Sequence, residues 1–259
     1  MTRKPTRRVI LLGASNLVRS ISTVVETARE IWHEPVEIMT AIGHGRSYGR
    51  DSRVMGRKIS GIFPCALWNE LRERAALPTV ALVTDVGNDL GYGVDVDELV
   101  SWVEGCLAHL DRARATTVIT ELPMARLARL GEREFLFFRS VFFPKSQLTF
   151  DDVRARAHEL NARLQEIGTQ RKMPVIPVSG AWYGRDPIHL KRGAWREAWP
   201  MILASWHERE PLSVCPRTSF ARWAYLRSLR PFEREVFGRL LRTKQPSGTL
   251  RDGTTISLY

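Results

Sequence analysis

Five short apolar runs, set apart by longer stretches of helical period, outline what this chain can become. The runs fall at residues 9–12, 36–42, 80–84, 117–120 and 175–178. They are short, and most are rich in β-branched residues, so they read as strands. Stretches 16–31, 66–76, 96–113, 150–170 and 193–207 alternate with or follow them and read as helices. The fourth helix is the best marked. Thr149 can cap it, Asp151 and Asp152 complement the positive end of its dipole, and Gly168 falls near its end. Strands alternating with crossover helices imply a parallel sheet covered on both faces.

The chain has 259 residues, 44% of them apolar, which is enough for one α/β domain with a full core. The rhythm changes near Pro211, so we expect the main α/β domain over residues 1–210. A basic accessory extension should follow over 211–259, a helix at 218–241 and then a polar tail. Cys65, Cys106 and Cys215 are widely separated and form no C-x-x-C pair, which fits idle thiols in a reducing compartment. The basic start carries a twin arginine, but the apolar run behind it, Val9 to Leu12, is too short for a secretion signal. No stretch approaches the roughly 18 to 20 apolar residues of a membrane span. The expectation is a soluble, cytoplasmic protein.

The net charge of +11 favours acidic partners. Arginine is spread along the whole chain, however, which reads as solvated faces and carries no specific nucleic-acid signal. The densest concentration runs from Arg217 to Lys244, so any contact with an anionic surface belongs to this C-terminal arm.

Ligands of open α/β sheets bind outside the carboxyl ends of the strands. Ser15 follows the first run, Gly45 the second, Asn88 the third, and Asp186 and His189 come after the fifth. All five fall on one edge. A serine hydroxyl is a weak nucleophile until an imidazole takes its proton, and that imidazole needs a carboxylate to fix its tautomer. In Asp186-Pro187-Ile188-His189 a carboxylate on a turn can fold back onto the Nδ1 of the histidine three residues on. Attack on a carbonyl also needs donors for the developing oxyanion. The candidates are the backbone N–H of Ser15, the backbone N–H of Gly45 and the side-chain amide of Asn88. His44, in the glycine loop, can contact substrate. Five phenylalanines lie within residues 135–143, and Phe138 and Phe142 are expected to wall an acyl or aryl pocket.

In these blocks the chain resembles the SGNH, or GDSL-like, hydrolase superfamily over about residues 7–207. Gly13-Ala14-Ser15-Asn16 is similar to its nucleophile block, Gly45 to its oxyanion glycine, Gly87-Asn88-Asp89 to its Asn-Asp block, and Asp186 to His189 to its closing Asp-x-x-His. Asn161 stands where members carry an asparagine in the helix before the last strand. Ala14 replaces the usual Asp, and Val86 the usual Gly. The resemblance implies a three-layer α/β/α, flavodoxin-like fold with a five-stranded parallel sheet. It also implies hydrolysis of a small-molecule acyl ester without metal or cofactor.

Two other readings compete. Gly45-Arg46-Ser47-Tyr48-Gly49 matches Gly-x-Ser-x-Gly, the nucleophile elbow of α/β-hydrolases, with Ser47 as nucleophile. A non-catalytic binding protein on the same scaffold would use the basic arm to hold an acidic polymer or glycan. The glycine loop has the wrong spacing for a dinucleotide, and the six histidines are scattered with no i, i+4 pair, so neither cofactor nor metal is expected.

Overall fold

A computed structural model describes residues 3–54, 57–206, 216–217, 219–236 and 238–259. The strands of the main sheet are β1 (Arg7–Gly13), β2 (Val36–Ile42), β3 (Thr79–Val83), β4 (Thr116–Thr120), β5 (Val175–Ile176), β6 (Gly248–Thr249) and β7 (Thr255–Leu258). Their spatial order is β6-β7-β2-β1-β3-β4-β5. β1 lies at the centre, parallel to β2 from Arg7↔Val36 to Gly13↔Ile42 and parallel to β3 from Arg8↔Thr79 to Leu12↔Val83. β3, β4 and β5 continue in parallel.

The order β2-β1-β3-β4-β5 is that of flavodoxin-like doubly wound sheets. Its direction of winding reverses between β1 and β3, which opens a crevice at their carboxyl ends. Val9, Ile10, Leu11 and Leu12 are fully buried because both sheet faces are covered. Alternate side chains feed two separate cores. On one face Ile10 and Leu12 pack with α2 (Leu67–Glu73), α3 (Val96–Arg112) and α5 (Phe150–Gln170). On the other, Val9 and Leu11 pack with α1 (Ser15–Trp32), α6 (Trp195–Leu203) and α7 (Phe220–Ser228). The result is three layers, α/β/α. α4 (Glu132–Phe142) follows β4 in the chain, and its Phe135 and Phe138 line a cavity with Thr84 and Asp85, which follow β3.

The helices begin and end for local reasons. Thr149 accepts from the Asp152 N–H and Asp152 reaches back to the Thr149 backbone, which gives α5 the expected capping box. α1 ends where His33 turns left-handed and its N–H bonds the Arg29 carbonyl.

The C-terminal region corrects two expectations. The sheet has seven strands instead of five, because β7 adds in parallel to β2 and β6 pairs antiparallel with β7. Thr255-Ile256-Ser257-Leu258 is short and half polar, which hid it as a strand, yet Ile256 and Ser257 are fully buried. It covers an edge of β2 that would otherwise offer unpaired backbone groups. The helix expected at 218–241 spans only Phe220–Ser228. Leu229 is extended two residues before Pro231, which has no N–H to continue a helix. The chain then forms an antiparallel hairpin, Glu233–Val236 with Arg239–Arg242, that turns through Gly238 at φ 74°. The boundary expected at 210/211, Cys215 and the end of the predicted 193–207 helix lie outside the described residues. Cys65 and Cys106 are buried free thiols. No described helix is long and apolar enough to cross a membrane.

Candidate active site

β1 ends at Gly13, and α1 begins at Ser15, so the serine sits at a helix N-terminus beside the crevice between β1 and β3. His189 Nε2 lies 2.9 Å from Ser15 Oγ, and His189 Nδ1 lies 2.6 Å from Asp186 Oδ2. The other Asp186 oxygen accepts from the Ile188 N–H at 2.9 Å and the His189 N–H at 3.2 Å, so the turn folds the acid back onto its own histidine. Burial pushes the Asp186 carboxyl up. The hydrogen bonds from His189 and the Ile188 N–H, with the charge of His189, outweigh it and leave the group below its ordinary value. Three residues from two remote parts of the chain therefore form one hydrogen-bonded relay. Ser15 is only 5% exposed, so little water reaches it.

What aligns these parts is a pair of residues to which sequence reasoning assigned no role. Asp85 follows β3 at φ 60°, a conformation aspartate tolerates better than most residues. Its Oδ2 accepts from the N–H groups of Ala14 (2.9 Å) and Asn16 (3.1 Å), and its Oδ1 from Asn16 Nδ2 (2.7 Å). The carboxylate thus caps α1 from another element, in place of a side chain that Ala14 does not have. Asn16 Nδ2 also donates to the Ile188 carbonyl at 3.0 Å, and Asn16 Oδ1 accepts from the Leu190 N–H at 2.9 Å. These two bonds bracket His189. Asp85 and Asn16 therefore rivet the serine turn to the histidine segment. Burial pushes the Asp85 carboxyl up, while its three N–H partners work in the opposite direction. The usable signal was its position, directly after a strand on the same edge as the other candidates.

Gly45 has φ 60°, which favours glycine in this loop, and its carbonyl accepts from the Tyr92 hydroxyl at 2.9 Å. Tyr92 directly follows the single helical turn Asn88–Gly91, so the loops after β2 and β3 are tied together. Asn88 lines the cavity described below. Asn161 accepts from the Leu122 N–H at 3.0 Å and fixes the loop after β4. Arg126 binds the Gly184 and Arg185 carbonyls at 2.9 and 2.7 Å and steadies the chain just before Asp186.

Ser47, the rival nucleophile, is 2% exposed and has no histidine partner among the described residues. It donates to Asp89 and accepts from the N–H groups of Gly49 (3.2 Å) and Arg50 (3.0 Å). The second glycine of its motif serves packing, since a Cβ at Gly49 would fall 2.0 Å from the Trp102 ring. Asp89 also accepts from the Tyr48 N–H at 2.9 Å, and burial raises its carboxyl to about 6. Ser47 and Asp89 lock the loops instead of forming a second relay.

An apolar cavity of about 170 Å³ opens beside Asn16 and Asn88 and runs under α4 and α5, against Leu127, Leu130, Phe135 and Phe138. Phe142 does not line it. Its ring stacks on Phe138 at 5.9 Å and meets the His189 imidazole edge to face at 5.3 Å. Phe137 points outward, 63% exposed. His44 is half-buried and hydrogen-bonds Arg227 at 3.3 Å. Burial, with the nearby charges of Arg227, His189 and Arg19, lowers its pKa and favours the neutral imidazole.

No protein-family model and no curated protein sequence matches the chain. Solved structures do match. A GDSL-like lipase from Bacteroides thetaiotaomicron VPI-5482 superposes with a TM-score of 0.50 at 13% identity, over 76% of this chain and 86% of that one. Another solved chain superposes with a TM-score of 0.57 at 11% identity, over 80% of this chain and 100% of its own. At such identities the likeness is one of fold, and the fold is one this chain shares with that GDSL-like lipase.

Proposed function

We propose that the protein is a serine hydrolase of the SGNH type that cleaves a carboxylic ester through an acyl-enzyme. The observation that carries this reading is the relay from Asp186 through His189 to Ser15, with contacts of 2.6 and 2.9 Å. The Ser15–His189 contact is within the reach that proton transfer requires, and the His189–Asp186 contact fixes the imidazole that takes the proton. The fold it shares with a protein described as a GDSL-like lipase supports the same reading.

His189 takes the Ser15 proton as Oγ attacks the carbonyl, and Asp186 holds the imidazole in the tautomer that leaves Nε2 free to accept. The Ser15 N–H, the Gly45 N–H and the Asn88 amide stabilise the oxyanion. Asp85 engages the N–H groups on either side of Ser15 but not that of Ser15 itself, which suits a donor kept for the substrate. His189 returns its proton to the leaving alcohol. A water, deprotonated by the same imidazole, then attacks the acyl-serine and releases the acid. The apolar cavity takes the acyl or aryl group, with Phe138 on its wall.

The test is a panel of p-nitrophenyl acetate, butyrate and octanoate. Ser15→Ala should lower turnover by at least about 10³, as expected when the nucleophile is lost. Ser47→Ala should retain turnover in whatever fraction folds. Loss of turnover with Ser47→Ala alone would overturn the assignment.

A further inference from the structure

A second concavity, which shares no lining residue with the apolar cavity, lies along α1. It is an open groove of about 500 Å³ between α1, residues 192–196 and the start of α7. It begins beside the relay. Arg19, one helical turn after Ser15, places Nη1 4.0 Å from Asp186 Oδ2. Arg192 and Arg196 continue the positive lining, and no carboxylate lines the groove among the described residues. The far wall is aromatic. Phe220 and Trp223 stack at 5.5 Å and are 76% and 37% exposed, an unusual display for rings of that size.

Two observations argue against an idle surface. Ser22, on the same stretch of α1, is 3% exposed, lines the groove, and its hydroxyl has no hydrogen-bond partner among the described residues. Buried polar groups are nearly always satisfied, so an unpartnered hydroxyl beside a groove is an exception to that rule. The aromatic wall is also held in place. Arg222 pairs with Glu26 of α1 at 2.5 Å, Ser219 caps α7 by accepting from the Arg222 N–H, and Leu226 is buried in the core.

We propose that this groove holds the alcohol half of the substrate, and that this half is anionic, with a carboxylate or phosphate for the arginines and a ring face for Phe220 and Trp223. The inference rests on the assignment of Ser15 as nucleophile and adds to it the chemistry of the leaving group. The two concavities divide the substrate, the apolar cavity taking the acyl side and the basic groove the alcohol side. Guanidinium groups bind carboxylate and phosphate through paired N–H donors, and flat groups stack on them and on indole.

The experiment uses esters matched in acyl group: 4-(butyryloxy)benzoate and 4-(butyryloxy)phenyl phosphate as anions, and 4-(butyryloxy)benzamide as the neutral control. The full chain should favour at least one anion by about tenfold or more in kcat/KM, and the preference should shrink as salt rises. Which anion is preferred identifies the group recognised. In an Arg192→Gln/Arg196→Gln double variant the ratio of kcat/KM on the anions to that on the benzamide should fall towards one. Equal rates on all three esters, or a preference that survives in the double variant, would overturn the proposal. Should the chain hydrolyse none of them, the nucleophile assignment fails separately. Calorimetry with 4-hydroxybenzoate and with phenyl phosphate on Ser15→Ala then decides the groove. Saturable binding of either, lost with the two arginines, supports it, and no binding of either overturns it.

Discussion

Replacing Asp85 by asparagine isolates the clamp that joins the serine turn to the histidine segment. The carboxylate accepts three hydrogen bonds, two on Oδ2 and one on Oδ1. An amide of the same shape accepts on one atom only. If its oxygen faces the Ala14 and Asn16 N–H groups, its NH₂ opposes Asn16 Nδ2 across 2.7 Å. Asn16 cannot relieve that clash by turning its own amide over, because doing so breaks its bonds to the Ile188 carbonyl and the Leu190 N–H. The opposite orientation sets the NH₂ against two backbone donors. At best one charge-assisted bond is lost and one donor left without an acceptor, and together these cost about 2 to 4 kcal/mol. The same shift moves Asn16, and with it the segment bearing His189, relative to Ser15. A displacement near 1 Å costs roughly 10² in rate. The expected result is a drop in kcat of about 10² on p-nitrophenyl acetate with KM nearly constant, together with a lower urea midpoint. Asp85→Asn with kcat within about twofold of wild type and stability within about 0.5 kcal/mol would refute the reasoning.

Three further outcomes follow from single contacts. Thr149→Ala removes the α5 cap and should lower stability by about 1 kcal/mol in denaturant unfolding, without changing turnover. Phe138→Ala enlarges the cavity and should shift acyl preference on the p-nitrophenyl panel, whereas unchanged preference with lower stability would make Phe138 a packing residue only. Burial pushes the Asp252 carboxyl up, but bonds from the Thr254 N–H and hydroxyl and from Arg29 outweigh it and leave its pKa low. A carboxyl held low in the folded state adds stability above its unfolded pKa and loses it as pH falls through the folded one. Asp252→Asn should therefore be less stable than wild type at pH 7. The gap should close below about pH 4 when unfolding is followed across pH.

The doubly wound core was legible because its strands are buried on both faces, so Val9 to Leu12 and Val36 to Ile42 stand out as apolar runs. The relay was legible because each part follows a strand on the same edge. Asp85 was hidden because its work is done on the backbone of another element, and a lone aspartate after a strand carries no pattern. β7 was hidden for a different reason. Only four residues long and half polar, it is a strand because β2 offers it an edge, and tertiary pairing outweighs local composition. The short α7 was readable in principle, since Pro231 bars a helix that runs on to residue 241. The Phe-rich segment divided its roles in a way composition does not encode, with Phe138 on the cavity and Phe142 on the imidazole.

The central claim is that Ser15 is a nucleophile activated by His189. Treating the folded chain with a fluorophosphonate and mapping the adduct by peptide mass spectrometry tests it most directly. One phosphonyl group should appear on Ser15 at close to one equivalent, and labelling should fall by orders of magnitude in a His189→Ala variant that keeps its fold. An unlabelled Ser15 in folded protein, or an adduct on Ser47 in its place, would contradict it.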